Sequence, residues 1–439
     1  MTESTSRTAD AIVIGAGIVG SSTAYQLAKA GLKTLLVDKG AGPGYGSTSA
    51  SSGIIRFEYT LLTSVTVAWE AAHMWADLRD YLEAPAAETL AEFYRVGKIM
   101  VDSPAFPRPL QRAHFDELGI AYEDWDAAEL RRRIGGIDAG RHYPPKPVDS
   151  DEFWAEPTEE LGAIYTPEAG FVDDPRLAAE NFANAAKRAG ASLVARSRVA
   201  AISQTGGGVW RLELDSGQRV EAPVVVNAAG PWSPEVNALA GVGGEFNITN
   251  RPLRQEVHAV PGPPGYHPPG GIGLCIADHD LGYYLRPEPS GGLLIGGTEP
   301  DCDTLEWVEG PVDEVNMSRT QEAFEKQVTR AARRLPKMAI PPRPTGVVGV
   351  YDVATDWTPI YDKTAAPGFF VAIGTSGNQF KNGPIIGELV AAIVAASAAG
   401  VDHDATPVVY RGPVTGRDID LSFYSRLRQP AANSGTVAG

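Results

Sequence analysis

Cysteine is almost missing from this chain. Cys275 and Cys302 are the only two in 439 residues. They form no CxxC pair, which excludes a dithiol redox centre of that type, and two thiols cannot build a disulfide framework; both facts fit a reducing, cytoplasmic setting. Positive charge is also scarce. Lys and Arg number 38 against 54 Asp and Glu, a formal net charge of −16. Nucleic acid and anionic membranes select basic faces, so neither is an expected partner. The short basic runs RRR (131–133) and RLR (426–428) read as solvated surface. No stretch reaches 18 uncharged apolar residues; LVAAIVAASAAG (389–400) is too short to span a bilayer and reads as a buried helix. The N-terminal MTESTSRTAD lacks the apolar core of a signal peptide. The seven histidines show no metal-ligand spacing. Glu299, Asp301 and Asp303 cluster after a strand without a metal-binding scaffold around them, so no metal is expected. No repeat of 20–50 residues is apparent.

What is present begins at residue 11. The run AIVIGAGIVGSSTAYQLAKAG (11–31) reads as an apolar strand, a glycine turn and a helix, and LKTLLVD (32–38) as a second strand ending in a carboxylate. Gly15 permits the tight turn, Gly17 lets backbone approach a pyrophosphate, and Gly20 allows close helix–strand packing. Ile18 and Val19 open the helix, whose unpaired N–H groups and partial positive charge suit phosphate. Asp38 follows Gly20 by 18 residues, the place of a ribose-binding acid, with Lys39 beside it. An adenine dinucleotide is therefore expected, NAD as readily as FAD on this motif alone.

With 43% apolar and 21% charged residues, the composition is globular, and the length suggests two or three domains. A Gly/Ser-rich loop, GAGPGYGSTSASSG (40–53), runs straight into Ile54-Ile55-Arg56. It follows the nucleotide motif directly and so reads as a backbone cradle. Residues 65–82 have helical periodicity. From Phe93 the pattern turns polar and Pro-rich around one strand candidate, YRVGKIMVD (94–102). FVDDPRLAAENFANAAKRAG (171–190) has Pro at a helix start and Gly at its end. Strands are expected in ASLVARSRVAAI (191–202), VWRLELD (209–215) and QRVEAPVVVNAAG (218–230), the last ending in small residues as a second nucleotide-contacting strand would. RQEVHAV (254–260) and the hairpin YYLRPEPSGGLLIGG (283–297) follow. Residues 369–396 read strand, glycine turn, helix.

Together these pieces resemble the FAD-dependent D-amino-acid-oxidase-like superfamily, and within it the sarcosine oxidase, glycine oxidase and dimethylglycine dehydrogenase branch. Five blocks carry the likeness in order: the nucleotide motif with Asp38, GSTSASSGIIR, GFVDDPRLAAENF, VVVNAAGPWS and GTSGNQFKNGPIIGE. The resemblance implies an α/β fold with an α+β substrate part: a discontinuous Rossmann-like FAD-binding domain (8–92, 169–235, 341–428), an inserted mixed β-sheet substrate domain (93–168, 236–340), and flexible tails (1–7, 429–439). It implies hydride transfer to flavin from the C–N bond of a carboxylate-bearing amine or amino acid, with release of an imine. Oxygen or an unidentified carrier would then take the electrons.

By the same resemblance, Arg56 and Lys381 fall on the pair that holds the substrate carboxylate, and Tyr284 and Tyr351 on tyrosines lining that pocket. FAD contacts are implied at Gly15, Gly17, Ile18, Val19, Gly20, Asp38, Lys39, Ser47, Thr48, Ser52, Gly53, Val199, Ala229, Gly230, Trp232, Gly349, Gly377, Asn378, Gln379, Phe380 and Lys381. The departures are informative. Ala50 stands where dimethylglycine dehydrogenases attach flavin to a histidine, and Gly349 where monomeric sarcosine oxidases attach it to a cysteine, so FAD is expected to be noncovalent. Leu294 stands where sarcosine oxidases carry an oxygen-activating lysine, and Thr298 where they carry a histidine. A specialised secondary-metabolite amine is an alternative substrate. A tRNA-modifying flavoprotein of the same fold would need a basic face, which this acidic chain does not offer.

Overall fold

The structure, a computed structural model, describes residues 7–430, so most of both expected tails lies outside the described residues. Two sheets organise it. The first has six strands in the spatial order Ser192–Val194, Thr34–Val37, Ala11–Ile14, Val224–Asn227, Phe369–Ile373, Ile360–Lys363. Five run parallel and only the last is antiparallel. AIVI, TLLV and FFVAI are buried along their whole length, as expected of parallel strands covered on both faces. The helix Ile18–Lys29 packs between Pro175–Arg188 and Gly383–Ala398. Pro175 opens its helix behind an Asp174 cap, whose side chain accepts from Leu177 N.

Small residues let these helices touch at the backbone. A Cβ on Gly387 would stand 2.4 Å from Ser22 O, and one on Gly383 2.4 Å from Ile18 Cγ1. One helical stretch among the described residues, Phe380–Ala398, is apolar and long enough to cross a membrane, although the sequence showed no uninterrupted apolar run of that length. It is 61% buried inside the fold, which is the environment of a core helix.

The second sheet has eight strands, in the order Gly346–Ala354, Asn250–Pro261, Gly292–Gly297, Tyr283–Pro287, Cys275–Asp278, Lys98–Val101, Ala163–Thr166, Glu123–Trp125. All neighbours are antiparallel except Cys275–Asp278 with Lys98–Val101. One face packs Ile99, Val101, Leu285 and Ile295 against Phe324 and Val328 of the helix Gln321–Arg334. The opposite face covers the cleft described below.

Two expectations need correction. A boundary at 341 assigns Gly346–Ala354 to the nucleotide unit, but that strand pairs with Asn250–Pro261 in the eight-stranded sheet, from Asn250↔Ala354 to His258↔Gly346. The chain re-enters the six-stranded sheet only at Ile360. RLR (426–428) is also not all solvated surface. Arg426 is buried against Asp362 and Asp404, and Arg428 pairs with Asp356. Acids supplied from distant segments make these arginines internal, which local sequence cannot show.

The helix–helix contact is testable. Gly387→Ala gains about 1 kcal/mol of helix propensity. It also drives a methyl into the Ser22 backbone, and overpacking typically costs about 1–3 kcal/mol. A net loss of stability is expected, read as a lower urea midpoint with an unchanged slope.

Candidate active site

A single continuous cleft runs between the two sheets. Its outer end is the nucleotide turn. Gly15 has φ 104°, and a Cβ there would stand 2.3 Å from Ala228 O. Gly17 caps the Ile18 helix with no side chain of its own, and no acidic residue lies in the first turn. The only atom a Cβ on Gly17 would meet is Thr48 Oγ1, at 3.0 Å. The Ile18 N–H donates to Thr48 Oγ1 at 3.1 Å, and the positive end of the helix borders the cleft, which fits a pyrophosphate. Asp38 lines the cleft and is anchored by Ala16 N and Gly40 N, each at 2.6 Å. This donor set fits the adenosine and pyrophosphate portion of FAD.

Every cofactor residue expected from the sequence lines this cleft except Gly20. A Cβ on Gly20 would stand 1.8 Å from Gly15 O, so Gly20 is a packing residue and not a cleft residue. Ser47 ties the Gly/Ser loop to the large sheet by donating to Val350 O at 2.6 Å. Trp232 lies at the mouth, with Lys39 Nζ 3.7 Å from its ring centroid and its indole N–H donating to Asp313.

Ala50 and Gly349, chosen from unrelated blocks of sequence, face each other across the cleft. A Cβ on Gly349 would stand 2.8 Å from the Ala50 methyl.

The inner end carries the charged groups. Arg56 and Lys381 approach one ring, that of Tyr59, at 4.6 and 4.8 Å from its centroid. Such cation–π contacts hold both heads in place without neutralising them. Lys381 Nζ also donates to Asn378 O, and its own carbonyl accepts the Trp75 indole N–H at 2.7 Å. Burial, then the charge of Arg56, lowers the Lys381 pKa well below the lysine value of 10.5. An anion placed between the two cations would relieve that penalty.

Alternate residues of five strands of the large sheet form the roof: Lys98 and Met100, Ala277, Tyr284, Gln255 and Val257, Gly349 and Tyr351, with Thr298 and His279 at strand ends. Period-two alternation puts the intervening residues, such as Ile99 and Leu285, in the core on the other side. Glycines make room for the tyrosines. A Cβ on Gly296 would fall 2.3 Å from the Tyr284 ring, and one on Gly377 (φ 68°) 2.3 Å from the Tyr351 ring. Tyr284 OH lies 2.9 Å from Ser52 Oγ and beside the Tyr351 hydroxyl. Burial raises both phenol pKa values, so both hydroxyls remain protonated at neutral pH. Asp352, driven up to about 7 by burial, accepts from Gly374 N at 2.6 Å and from Asn250, and so fixes the glycine turn before Lys381.

Sequence reasoning missed four inner residues. Glu58 and Tyr59 follow Arg56 two and three residues on, and Lys98 is a lone cation in the apolar strand KIMV. That lone cation was the available signal. His279 lines the cleft and packs on Phe106 with centroids 4.7 Å apart. Burial, then Arg56 and Lys98, push its pKa down to about 3, so its ring is neutral. Its flanking residues are clamped: fully buried Arg334 bonds Asp278 at 2.7 Å and Asp280 at 2.8 Å. Leu294 does not line the cleft, whereas Thr298 does. His258 lies in the core behind the sheet, against Phe324 at 5.3 Å. Among the described residues no group of His, Cys, Asp and Glu could hold a metal.

The family profile described as FAD dependent oxidoreductase matches residues 10–393. Glycine oxidase of Bacillus licheniformis is 27% identical over 308 residues, covering 69% of this chain and 72% of that protein. Mitochondrial dimethylglycine dehydrogenase of Homo sapiens is 25% identical over 66% of this chain but only 30% of its own length. Among solved structures, glycine oxidase from Geobacillus kaustophilus superposes with a TM-score of 0.70 at 21% identity, covering 92% of this chain and 99% of that one. L-proline dehydrogenase from P. horikoshii gives 0.74 at 20% identity, with 96% and 98% covered.

The clamp behind His279 yields a stability test. Arg334→Met leaves Asp278 and Asp280 buried without their cation. Breaking a buried pair in this way typically costs about 3–5 kcal/mol. Denaturant unfolding should show a loss of that size.

Proposed function

The chain belongs to the FAD-dependent oxidoreductase family, and from that premise we propose that it oxidises the C–N bond of an amine or amino acid bearing a carboxylate, with FAD bound noncovalently. The observation that carries the reading is the convergence of Arg56 and Lys381 on Tyr59 at the inner end of the cleft.

Arg56 offers a planar fork suited to bidentate carboxylate binding, and Lys381 adds a point charge. Both are buried, so a carboxylate between them is desolvated and tightly held. Tyr59 fixes the two heads, and Trp75 fixes the backbone that carries Lys381. The protonated hydroxyls of Tyr284 and Tyr351 lie on the roof opposite, where they orient the amine and exclude water. FAD, when bound, supplies the two-electron acceptor for the hydride leaving the substrate's α-carbon. The amine lone pair assists that departure, so the protein's task is orientation, and no strong general base is required of it.

Noncovalent binding is supported by Ala50 and Gly349, neither of which has a nucleophilic side chain. Acid precipitation should therefore leave the yellow chromophore in the supernatant; colour retained in the pellet would refute noncovalent attachment. Arg56→Ala and Lys381→Met should each keep FAD yet lose kcat/KM on carboxylated amines. Removing one partner of a buried charged pair costs about 2–5 kcal/mol, so the loss should be roughly 30-fold to a few thousandfold. Anaerobic flavin bleaching by a panel of N-methyl, D- and cyclic amino acids measures it, and undiminished bleaching in both variants would remove the carboxylate from this position.

A further inference from the structure

The carboxylate grip uses Arg56 and Lys381. A third cation, Lys98, lines the same end of the cleft from the roof strand Lys98–Val101. Its side chain is 1% exposed, and its nearest countercharge is Glu58, 0% exposed, with Nζ 3.1 Å from Oε2. That ion pair can engage one of the ammonium's three N–H donors, and no further hydrogen-bond acceptor meets Nζ among the described residues. An ammonium has three N–H donors, and a buried one left without acceptors carries a large desolvation cost. Glu58 is engaged elsewhere as well: its other oxygen accepts from Thr166 Oγ1 at 3.2 Å, and its backbone carbonyl accepts from Arg56.

Charge counting points the same way. Arg56, Lys98 and Lys381 lie within electrostatic reach of one another, and Glu58 is the buried carboxylate among them. Asp352 also borders the cleft, but its oxygens are held by Gly374 N and Asn250. With Lys381 protonated, the excess is two positive charges. One substrate carboxylate balances one of them, and the unpartnered N–H groups of Lys98 mark where a second would go. Neutral His279 stands on the adjacent strand end, able to donate to or accept from the same group without adding charge.

We propose that the preferred substrate is an amine carrying two carboxylates, the first held by Arg56 and Lys381 and the second received by Lys98. This rests on the carboxylate-binding reading above. Lys98 is then a specificity residue: it discriminates between substrates and does not touch the bond that breaks.

The test is equilibrium binding to the flavin-loaded protein, using carboxylates that cannot be oxidised. Propionate is compared with malonate, succinate and glutarate by titration calorimetry at fixed ionic strength. A charge-assisted buried hydrogen bond predicts that the best-fitting dicarboxylate binds roughly 10- to 100-fold more tightly than propionate. Lys98→Met alone would strand Glu58, so the neutral pair Glu58→Gln/Lys98→Met is used, and its dicarboxylate preference should fall to within about twofold. Anaerobic reduction supplies the kinetic arm: N-methylaspartate should exceed N-methylalanine in kcat/KM through KM, and the double variant should erase that difference. A wild-type protein with no dicarboxylate preference, or a preference that survives in the double variant, overturns the assignment. If monocarboxylates bind and bleach the flavin equally well, only this inference fails. If neither class of anion binds the wild-type protein, the carboxylate-binding reading fails with it.

Discussion

The double pairing of one short strand is the constraint on which the rest depends. Val224–Asn227 pairs in parallel with Ala11–Ile14 on one side and Phe369–Ile373 on the other, so Val225 faces both Ile12 and Phe369. Parallel neighbours end at the same edge of a sheet. Three turns more than a hundred residues apart in sequence therefore open side by side: the Gly15 turn, the 228–232 turn and the 374–382 turn. Ligand sites in open α/β sheets form at the carboxyl ends of strands for this reason. The backbone contacts among the Ile18, Pro175 and Gly383 helices then lock that edge from behind.

The large sheet meets this edge with a single face. Because strand side chains alternate, register decides which residues look into the cleft and which enter the core. Lys98 faces the cleft while Ile99 is core, and Tyr284 faces it while Leu285 is core. A slip of one residue in the strand Lys98–Val101 or Tyr283–Pro287 would exchange the polar group for an aliphatic one. The glycines at 296 and 377 add a second level of specification, since each is the space that one tyrosine ring occupies.

Much of this was legible in the sequence because its signals are local. The glycine turn with Asp38, the Asp174–Pro175 helix start, the 283–297 hairpin and the glycine turn carrying Lys381 each announce themselves within thirty residues. Resemblance supplied Arg56 and the two tyrosines. What stayed hidden depends on distant partners. Lys98 stands out in its strand only as a lone cation, whose place at the site emerges once Glu58 and Arg56 are seen beside it, and Tyr59 gains meaning only from the two cations it supports. Arg426 is interior solely because Asp362 and Asp404 arrive from elsewhere. The strand Gly346–Ala354 was misassigned for the same reason, since its partner lies about a hundred residues upstream and nothing in its own composition names it.

The meeting of Ala50 and Gly349 has a consequence for how such a cleft can diversify. The two positions belong to different loops and were singled out by likeness to different relatives, yet they open onto one small space, and a single added methyl already crowds it. They amount to one berth with two doors. Bulk added at one door closes the other, so the pair tolerates small side chains on both sides or a larger one on at most one.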